Sequence, residues 1–572
     1  MIKHVIYRQI RRGSRLFKRS LTPYRHSFYS KLNKWRVSNF PRFNDLLEKI
    51  SRGVTISTSE ILPFISQESL TDRLWINFYL AEAFHLIGKH ELAKVFVQRV
   101  WLFSGQDEKY LQFYIDIHAA CDDVDTIRDA HKVLGMKKAD ANLISEALEH
   151  FNDWQYAYSH HRNSDDYRYD TGVLERISLL AKPYAFPPRT VFPDHGRKLR
   201  LAHLMFGLTH SNSVIVEISL LFAKYHDLSK FDVTFYVLDQ ESDILGYDEA
   251  VRTISLIKQF GWDVVIAPKS PSSEESLFRL ARAIYDSNAD ILVTCAGLAD
   301  LKHYFIASLN PSPLVVGLCQ GPAPQFIAPD FHWSITWFRS LVPDCPTQCS
   351  FVHLRLDLPE RQYSREDAKY SFGISRKNLV VMTSGRPEKL QDSDFLKTLI
   401  TVVSRHSNVI LVVVGLGELP VALKAQLGSE ATERVKVFGW VKEFIKVLSM
   451  ADIVVDTYPS GGGVLVKDAA ALGIPVISFK HDYMQTFSQK ECSSAEETIG
   501  IPELIMERGD FSALDNTLSL LIKDQILREN LSQLCREHIL ETSSNPGRMI
   551  RECEQIFLNV TRQHEDDPRG PH

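Results

Sequence analysis

ADIVVDTYPSGGGVLVKDAAALGIPVIS, running from Ala451 to Ser478, is the stretch whose reading decides the fold. An apolar β-run (Ile453, Val454, Val455) ends in Asp456 and a Thr-Tyr-Pro-Ser turn. Gly461, Gly462 and Gly463 follow, then a helix-like segment carrying Lys467 and Asp468. Gly473 closes that segment as a C-cap, and Pro475 leads into a new β-run. Glycines let backbone N–H groups approach an anion closely, and the helix that starts there adds the positive end of its dipole. The pattern predicts a diphosphate seat, with Asp468 about one turn further in to accept hydrogen bonds from a ribose. A plain βα turn of a doubly wound sheet reads the same way, so the neighbouring motifs have to arbitrate.

Outward from this stretch, strands and helices alternate. LRLAHLMFG, beginning at Leu199, reads as a first buried strand, Val214 to Tyr225 as a helix and FDVTFYVLD as a second strand. Further helices (Tyr247 to Phe260, Glu274 to Ser287, Asp300 to Leu309) alternate with VVIAP, DILVTC and PLVVGLC. A second unit begins near Asn378 with LVVMTSG, a helix from Ser393 to Arg405, VILVVVG and VKVFGW, and then takes in the opening stretch. The spacing predicts consecutive Rossmann-like domains over 198–376 and 377–545, with ligands beyond the carboxyl ends of the strands. A final helix and tail cover 546–572, and the last helices are expected to pack back over the domains.

The N-terminal part reads differently. Over 51–165 the pattern is helical throughout: Leu80, Ala81, Phe84 and Gly88, then Ala93, Val97 and Val100, follow a tetratricopeptide-like spacing. Weaker echoes run from Ile117 to Leu134 and from Ala147 to Tyr158, and a polar, Pro-rich connector spans 166–197. The segment 1–50 is basic; from Lys3 to Arg42 it carries no acid, and aromatic and aliphatic residues are interleaved. That pattern suits a solvated tail or an anionic membrane surface, and nucleic acid less well.

With 44% hydrophobic residues, 24% charged residues and a net charge of −4, the 572-residue chain has a globular composition. No apolar run is long enough for a membrane span, and no secretory leader is visible at the start. The 8 cysteines are scattered without metal-site spacing. Together these predict a reduced, cytoplasmic setting, with peripheral attachment to an inner membrane face as the variant that the basic segment suggests.

The strand ends carry the remaining candidates. Gly207-Leu208-Thr209-His210-Ser211-Asn212-Ser213 opens a helix and puts His210 where a general base or a sugar ligand belongs. Gln320, Gly321, Pro322, Ala323 and Pro324 form a stiff loop at the edge of the same cleft. Arg386 and Lys389, after LVVMTSG, stand where they can neutralise a diphosphate leaving group, and a cationic clamp with a helix N-terminus can replace a divalent metal. Asp392-Ser393-Asp394 reads as an N-cap, and Val414-Gly415-Leu416-Gly417 lacks the third glycine of a dinucleotide motif. Phe438-Gly439-Trp440-Val441-Lys442 offers backbone, at Val441 above all, to a nucleobase edge.

Taken together, His210, the block DILVTCAGLADLKHYFIASLNPSPLVVGLCQGPAP, Lys389 and DTYPSGGGVLVKDAAALGIPV resemble the GT-B glycosyltransferases. More narrowly, they resemble the protein O-GlcNAc transferase family and its bacterial relatives that glycosylate adhesins. The resemblance spans about Lys198 to Leu540, with tetratricopeptide-like helices in front. It implies an α/β protein of GT-B fold preceded by an all-α helical region. It further implies an inverting transfer, without metal or other cofactor, from a nucleotide diphosphate sugar, UDP-linked, to a protein Ser, Thr or Asn side chain. By the same resemblance Lys389 binds the diphosphate and Asp468 the ribose. Gly462, Gly463, Val464 and Leu465 supply the phosphate turn, and His210 is the active-site histidine, a base in one reading.

The departures are informative. Gly463, Val464 and Leu465 stand where the family commonly has His, Thr and Thr, and Arg386 replaces a neutral amide. Ser460 stands where a retaining GT-B enzyme has a glutamate, which favours inversion. The helical region is expected to present a polypeptide acceptor. A lipid-linked or surface polysaccharide acceptor, or a scaffold with a silent GT-B domain, are the alternative readings.

Overall fold

The computed structural model describes residues 41–566 apart from a number of stretches, the longest being 160–170, 190–196, 320–327, 340–346, 424–432 and 485–490. The basic segment up to residue 40, and with it nearly all of the expected membrane-binding stretch 1–42, lies outside the described residues. The chain divides into two compact units, 1–161 and 162–572.

The first unit is helical. Helices Leu70–Leu86 and His90–Phe103 form one hairpin, and Val124–Asp140 and Ile144–Ser159 another. The spacing that pointed to this arrangement is the buried face: Leu80, Ala81, Phe84, Ala93, Val97 and Val100 are all in the core, as are Ala147 and Phe151. Gly88 turns the first hairpin at φ +78°, a left-handed conformation that costs other residues energy. The helical core also begins earlier than the sequence suggested. Phe43, Leu46, Leu47 and Ile50 line one face of helix Pro41–Ser51 and are buried, so this helix packs with the core that follows.

The second unit holds two parallel sheets. Its first sheet contains β1 (Leu199–Met205), β2 (Phe231–Gln240), β3 (Asp263–Ala267), β4 (Ile291–Thr294), β5 (Leu314–Cys319), β6 (Trp333–Thr336) and β7 (Cys349–Phe351). Their order is β3-β2-β1-β4-β5-β6-β7. The second sheet contains β8 (Leu379–Ser384), β9 (Val409–Val414), β10 (Val435–Phe438), β11 (Ile453–Val455) and β12 (Val476–Phe479). After a short antiparallel ribbon of β13 (Tyr483–Met484) and β14 (Glu491–Cys492), β15 (Ile505–Met506) completes it in the order β10-β9-β8-β11-β12-β15. Every residue of β8 and β9 is buried, which is why β9 and the first four residues of β8 read as unbroken apolar runs instead of alternating ones. Strand order reverses between β1 and β4 and again between β8 and β11, and such switch points are where open α/β sheets bind ligands.

The last helix, Pro546–Asp566, belongs to the first sheet's core although it follows the second sheet in sequence. Met549, Ile550, Cys553, Phe557 and Val560 are buried there. Glu554 on that helix accepts hydrogen bonds from the backbone N–H of Asp227 at 2.7 Å and from His226 Nδ1 at 2.9 Å. The polar stretch 166–197 is not a bare linker over its described residues. Helix Thr171–Ala181 packs on helix Leu301–Ser308, where Ser178 Oγ and Tyr304 Oη lie 2.9 Å apart, and Arg189 reaches the carbonyl of Pro311 at 2.8 Å.

Candidate active site

The nucleotide side is built where β8, β9, β10 and β11 end. The N–H of Gly385 donates to Val414 O at 3.1 Å and that of Gly415 to Phe438 O at 2.8 Å, tying three strand ends together. Glycine is needed at both positions. A Cβ on Gly415 (φ +108°) would lie 1.8 Å from Gly385 O, and one on Gly385 would lie 2.6 Å from Thr457 Cγ2. The Val414-Gly415-Leu416-Gly417 motif is therefore a packing device: its first glycine lets neighbouring loops cross.

Lys389 sits on the 3-10 turn Pro387–Leu390, and its Nζ donates to the carbonyl of Gly461 in the glycine turn. Sequence-distant parts of the expected seat thus meet directly. Beneath the turn, buried Asp456 accepts from its neighbour's N–H (Thr457) at 2.8 Å and from Ser478 Oγ at 2.8 Å, pinning the end of β11 to β12. Helix Gly463–Ala471 starts at an exposed residue, and a Cβ on Gly463 would meet no atom within 4 Å, so that side of the glycine has space.

Val464 and Leu465 turn away from that space. Val464 packs on the core of the first sheet, and Leu465 is buried in the core of the second. Their branched side chains stand where the resembled family carries hydroxyls, and packing explains them: at these two positions the chain has no side-chain donor to offer a ligand. Lys467 is also structural. It is buried and donates to Leu354 O at 2.7 Å, joining the helix to the segment between the sheets.

Asp468 is partly buried one turn into the helix, and its carboxyl is pushed up to about 7 by burial and by Glu217, with Lys467 pulling the other way. Glu217 lies in the first turn of helix Val214–Tyr225, and burial together with Asp357 raises it as well. Glu217 acts on the Asp468 carboxyl from the first sheet's side, which places the ribose candidate near the helix that follows the His210 turn. Nothing in the sequence around Glu217 announces this; it reads as an ordinary first-turn acid.

On the first sheet, residues Leu208–His210 form a 3-10 turn after β1. Asp239, at the end of β2, holds it by accepting from the N–H of Leu208 and from Thr209 Oγ1, the latter at 3.3 Å. The His210 side chain, Gly462 and the loop Gln320–Pro324 lie outside the described residues. Arg386 is exposed beside Gly385. Val441 packs on the second sheet's core while Trp440 beside it is 75% exposed. Asp392 is an N-cap, accepting from the N–H groups of Asp394 at 3.0 Å and Phe395 at 2.8 Å. Asp456, Asp239 and Gly415 are the functional-site supports that motif reading missed. An acid or a glycine directly after a buried apolar run is the signal that marks them.

Residues 378–524 match the family described as glycosyl transferases group 1. Among solved structures, an O-GlcNAc transferase mutant from Thermobaculum terrenum is similar with a TM-score of 0.54 at 16% identity, covering 91% of this chain and 98% of that one. Anabaena HepE, solved with UDP and glucose, gives 0.46 at 13% identity over 63% of this chain and 99% of its own. A glycosyltransferase from Rickettsia africae gives 0.47 at 10% identity over 64% and 99%. No curated protein sequence matches. The two parallel sheets joined by a returning C-terminal helix, together with the likeness to the Thermobaculum structure, give this protein a GT-B fold, and its residues 378–524 carry a group 1 glycosyl transferase domain.

Proposed function

We propose that the protein transfers a sugar, with inversion and without metal, from a UDP-linked donor to a Ser, Thr or Asn side chain of a polypeptide. The observation that carries the donor half is the meeting of Lys389 Nζ with the Gly461 carbonyl at the β8/β11 switch point, just ahead of the helix that carries Asp468. In this reading the nucleoside diphosphate lies over the start of helix Gly463–Ala471. Lys389 and the helix dipole neutralise the charge that develops as the bond from the anomeric carbon to the diphosphate breaks. The acceptor atom, a Ser or Thr hydroxyl oxygen or an Asn amide nitrogen, attacks the anomeric carbon from the opposite face and its proton passes to a base, the role His210 takes in the resembled family. Arg386 adds positive charge at the seat. Asp468 accepts hydrogen bonds from the ribose, and Gln320, Gly321, Pro322, Ala323 and Pro324 border the acceptor side. Val441 lies beside the base. A polypeptide acceptor is supported by the helical unit and by the resemblance to the O-GlcNAc transferases; the setting in this reading is cytoplasmic.

The test is a panel of nucleotide sugars with the full chain, reading release of the nucleoside diphosphate and calorimetric binding. UDP is expected to bind and Asp468→Asn to weaken it about tenfold, the loss of one charged hydrogen bond. Tight binding of a purine nucleotide in place of UDP, or UDP binding untouched by Asp468→Asn, overturns the donor assignment. Peptide and glycan acceptors offered in parallel decide the acceptor class.

A further inference from the structure

In the helical unit, outside the transfer site, His131, His150 and Asp153 bring their ligand atoms to one point. Among the described residues these form the one group of at least three His, Cys, Asp or Glu side chains with ligand atoms all within 4.8 Å of one another. His131 Nδ1 lies 3.3 Å from His150 Nδ1 and 3.6 Å from Asp153 Oδ2. A tetrahedral cation with bonds of 2.0–2.2 Å to imidazole nitrogen and carboxylate oxygen separates its ligands by about 3.3–3.6 Å. The spacing is therefore that of a coordination polyhedron's edge.

The hairpin is shaped to deliver this arrangement. His150 and Asp153 stand three residues apart on one face of helix Ile144–Ser159, and His131 faces them from helix Val124–Asp140. The helices approach closely because Gly135, one turn after His131, has no Cβ: one there would lie 2.5 Å from the Phe151 ring. Both imidazoles are buried, at 5% and 8% exposure.

The outer partners also fit. The other ring nitrogen of His150, Nε2, faces Glu108 Oε1 at 3.6 Å, and Glu108 is held by Lys138 Nζ at 2.6 Å. Metal-binding histidines regularly present their second nitrogen to a carboxylate, and Glu108 stands on that side of His150. Two imidazoles and one carboxylate select a borderline first-row cation over calcium or magnesium.

We propose that His131 Nδ1, His150 Nδ1 and Asp153 Oδ2 bind a divalent first-row cation, zinc foremost, with solvent in the fourth position, and that the cation staples this helical hairpin. Sequence spacing gave no hint of it, because 19 residues and a turn separate the histidines.

The experiment uses the full chain, stripped with a chelator and titrated with Zn2+ by calorimetry and with Co2+ by visible absorption. One equivalent of Zn2+ is expected, with the intense d–d bands of tetrahedral Co2+ and slower amide hydrogen exchange across 124–159 in the zinc-loaded protein. Asp153→Asn, at a half-exposed position, is expected to weaken binding at least tenfold while leaving the metal-free fold unchanged. His131→Gln tests the buried side, and circular dichroism checks that it folds. Absence of an equivalent of Zn2+ at a hundredfold excess overturns the proposal and leaves a plain hydrogen-bonded histidine pair. Binding that neither variant weakens overturns it too.

Discussion

The two sheets of the catalytic unit share a strand order but are finished in opposite ways. The second sheet's strand ends are closed by backbone: glycines at 385 and 415 let loops cross within van der Waals reach of each other, and a lysine spans to a glycine carbonyl. The first sheet is closed by side chains. Cys295 Sγ stands 3.6 Å from His203 Nδ1, His203 Nε2 stands 3.1 Å from His226 Nε2, and His226 Nδ1 stands 2.9 Å from Glu554. With the carboxylate accepting from Nδ1–H of His226, His203 must donate through Nε2–H, and the Cys295 thiol can donate to its Nδ1. The chain of donors is oriented, fully buried and ends on the helix that returns from the second sheet. The diphosphate seat proposed above would need N–H groups brought close, whereas the opposite sheet needs its returning helix held in one register; each finish suits that assignment.

That contrast is broken most directly at Lys389. Lys389→Ala is expected to lower turnover by about 100-fold or more with the melting temperature nearly unchanged, since it removes one charge aimed at the leaving group. UDP release under saturating donor reads it; an unchanged rate would dissolve the distinction between seat and clasp.

Next in size is Gly415→Ala. At φ +108° the added methyl collides with the Gly385 carbonyl, so a loss of about 3 kcal/mol in denaturant unfolding is expected. Gly417→Ala, where a Cβ meets nothing within 4 Å, is the matched control and should cost under about 1 kcal/mol.

On the first sheet, Glu554→Gln is expected to cost about 2 kcal/mol through weakened charged hydrogen bonds, with faster exchange in helix Pro546–Asp566. The same clasp gives an acid signature. Burial lowers both His203 and His226, with the charge on Glu554 opposing this at His226. Their neutral forms are favoured in the folded protein, so this stability is present above the ordinary histidine value of about 6.5 and is lost as pH falls through the depressed ones. Chemical denaturation at descending pH tests this; a flat profile through that window argues against the neutral chain.

The smallest effect is expected at Asp468. Its carboxyl, raised to about 7, is half protonated near neutrality, and a ribose prefers the ionised acceptor. UDP affinity should therefore rise by up to about tenfold as pH climbs through 7, and Asp468→Asn should flatten the curve. For the empty protein the sign is reversed. A folded value above the ordinary carboxylate value of about 3.9 contributes stability at low pH that is lost as pH rises through about 7.

Much of this was legible in the chain. Buried parallel strands such as β9 and most of β8 are continuous apolar runs, and helix Val214–Tyr225 has the bounds its pattern predicts. The glycine turn, Lys389 and Asp468 carry their chemistry in residue type and offset from a strand end. Strands β6, β7 and β15, of 4, 3 and 2 residues, escaped because so short a run has no period. Gly415 passed as a fragment of another motif, because the carbonyl that forces it comes from Gly385, 30 residues earlier.

By itself the sequence determined the class of the fold and where the proposed nucleotide seat would fall, since both depend on local order: strand, glycine turn, helix. Only the tertiary structure decided that Val464 and Leu465 serve the cores and that Glu217 stands near Asp468. It likewise decided that Glu554 closes a proton-ordered chain begun at Cys295, and that His131 meets His150 and Asp153. The reason is physical: burial, charge coupling and coordination act through space between groups that chain order leaves far apart, and only packing sets those distances.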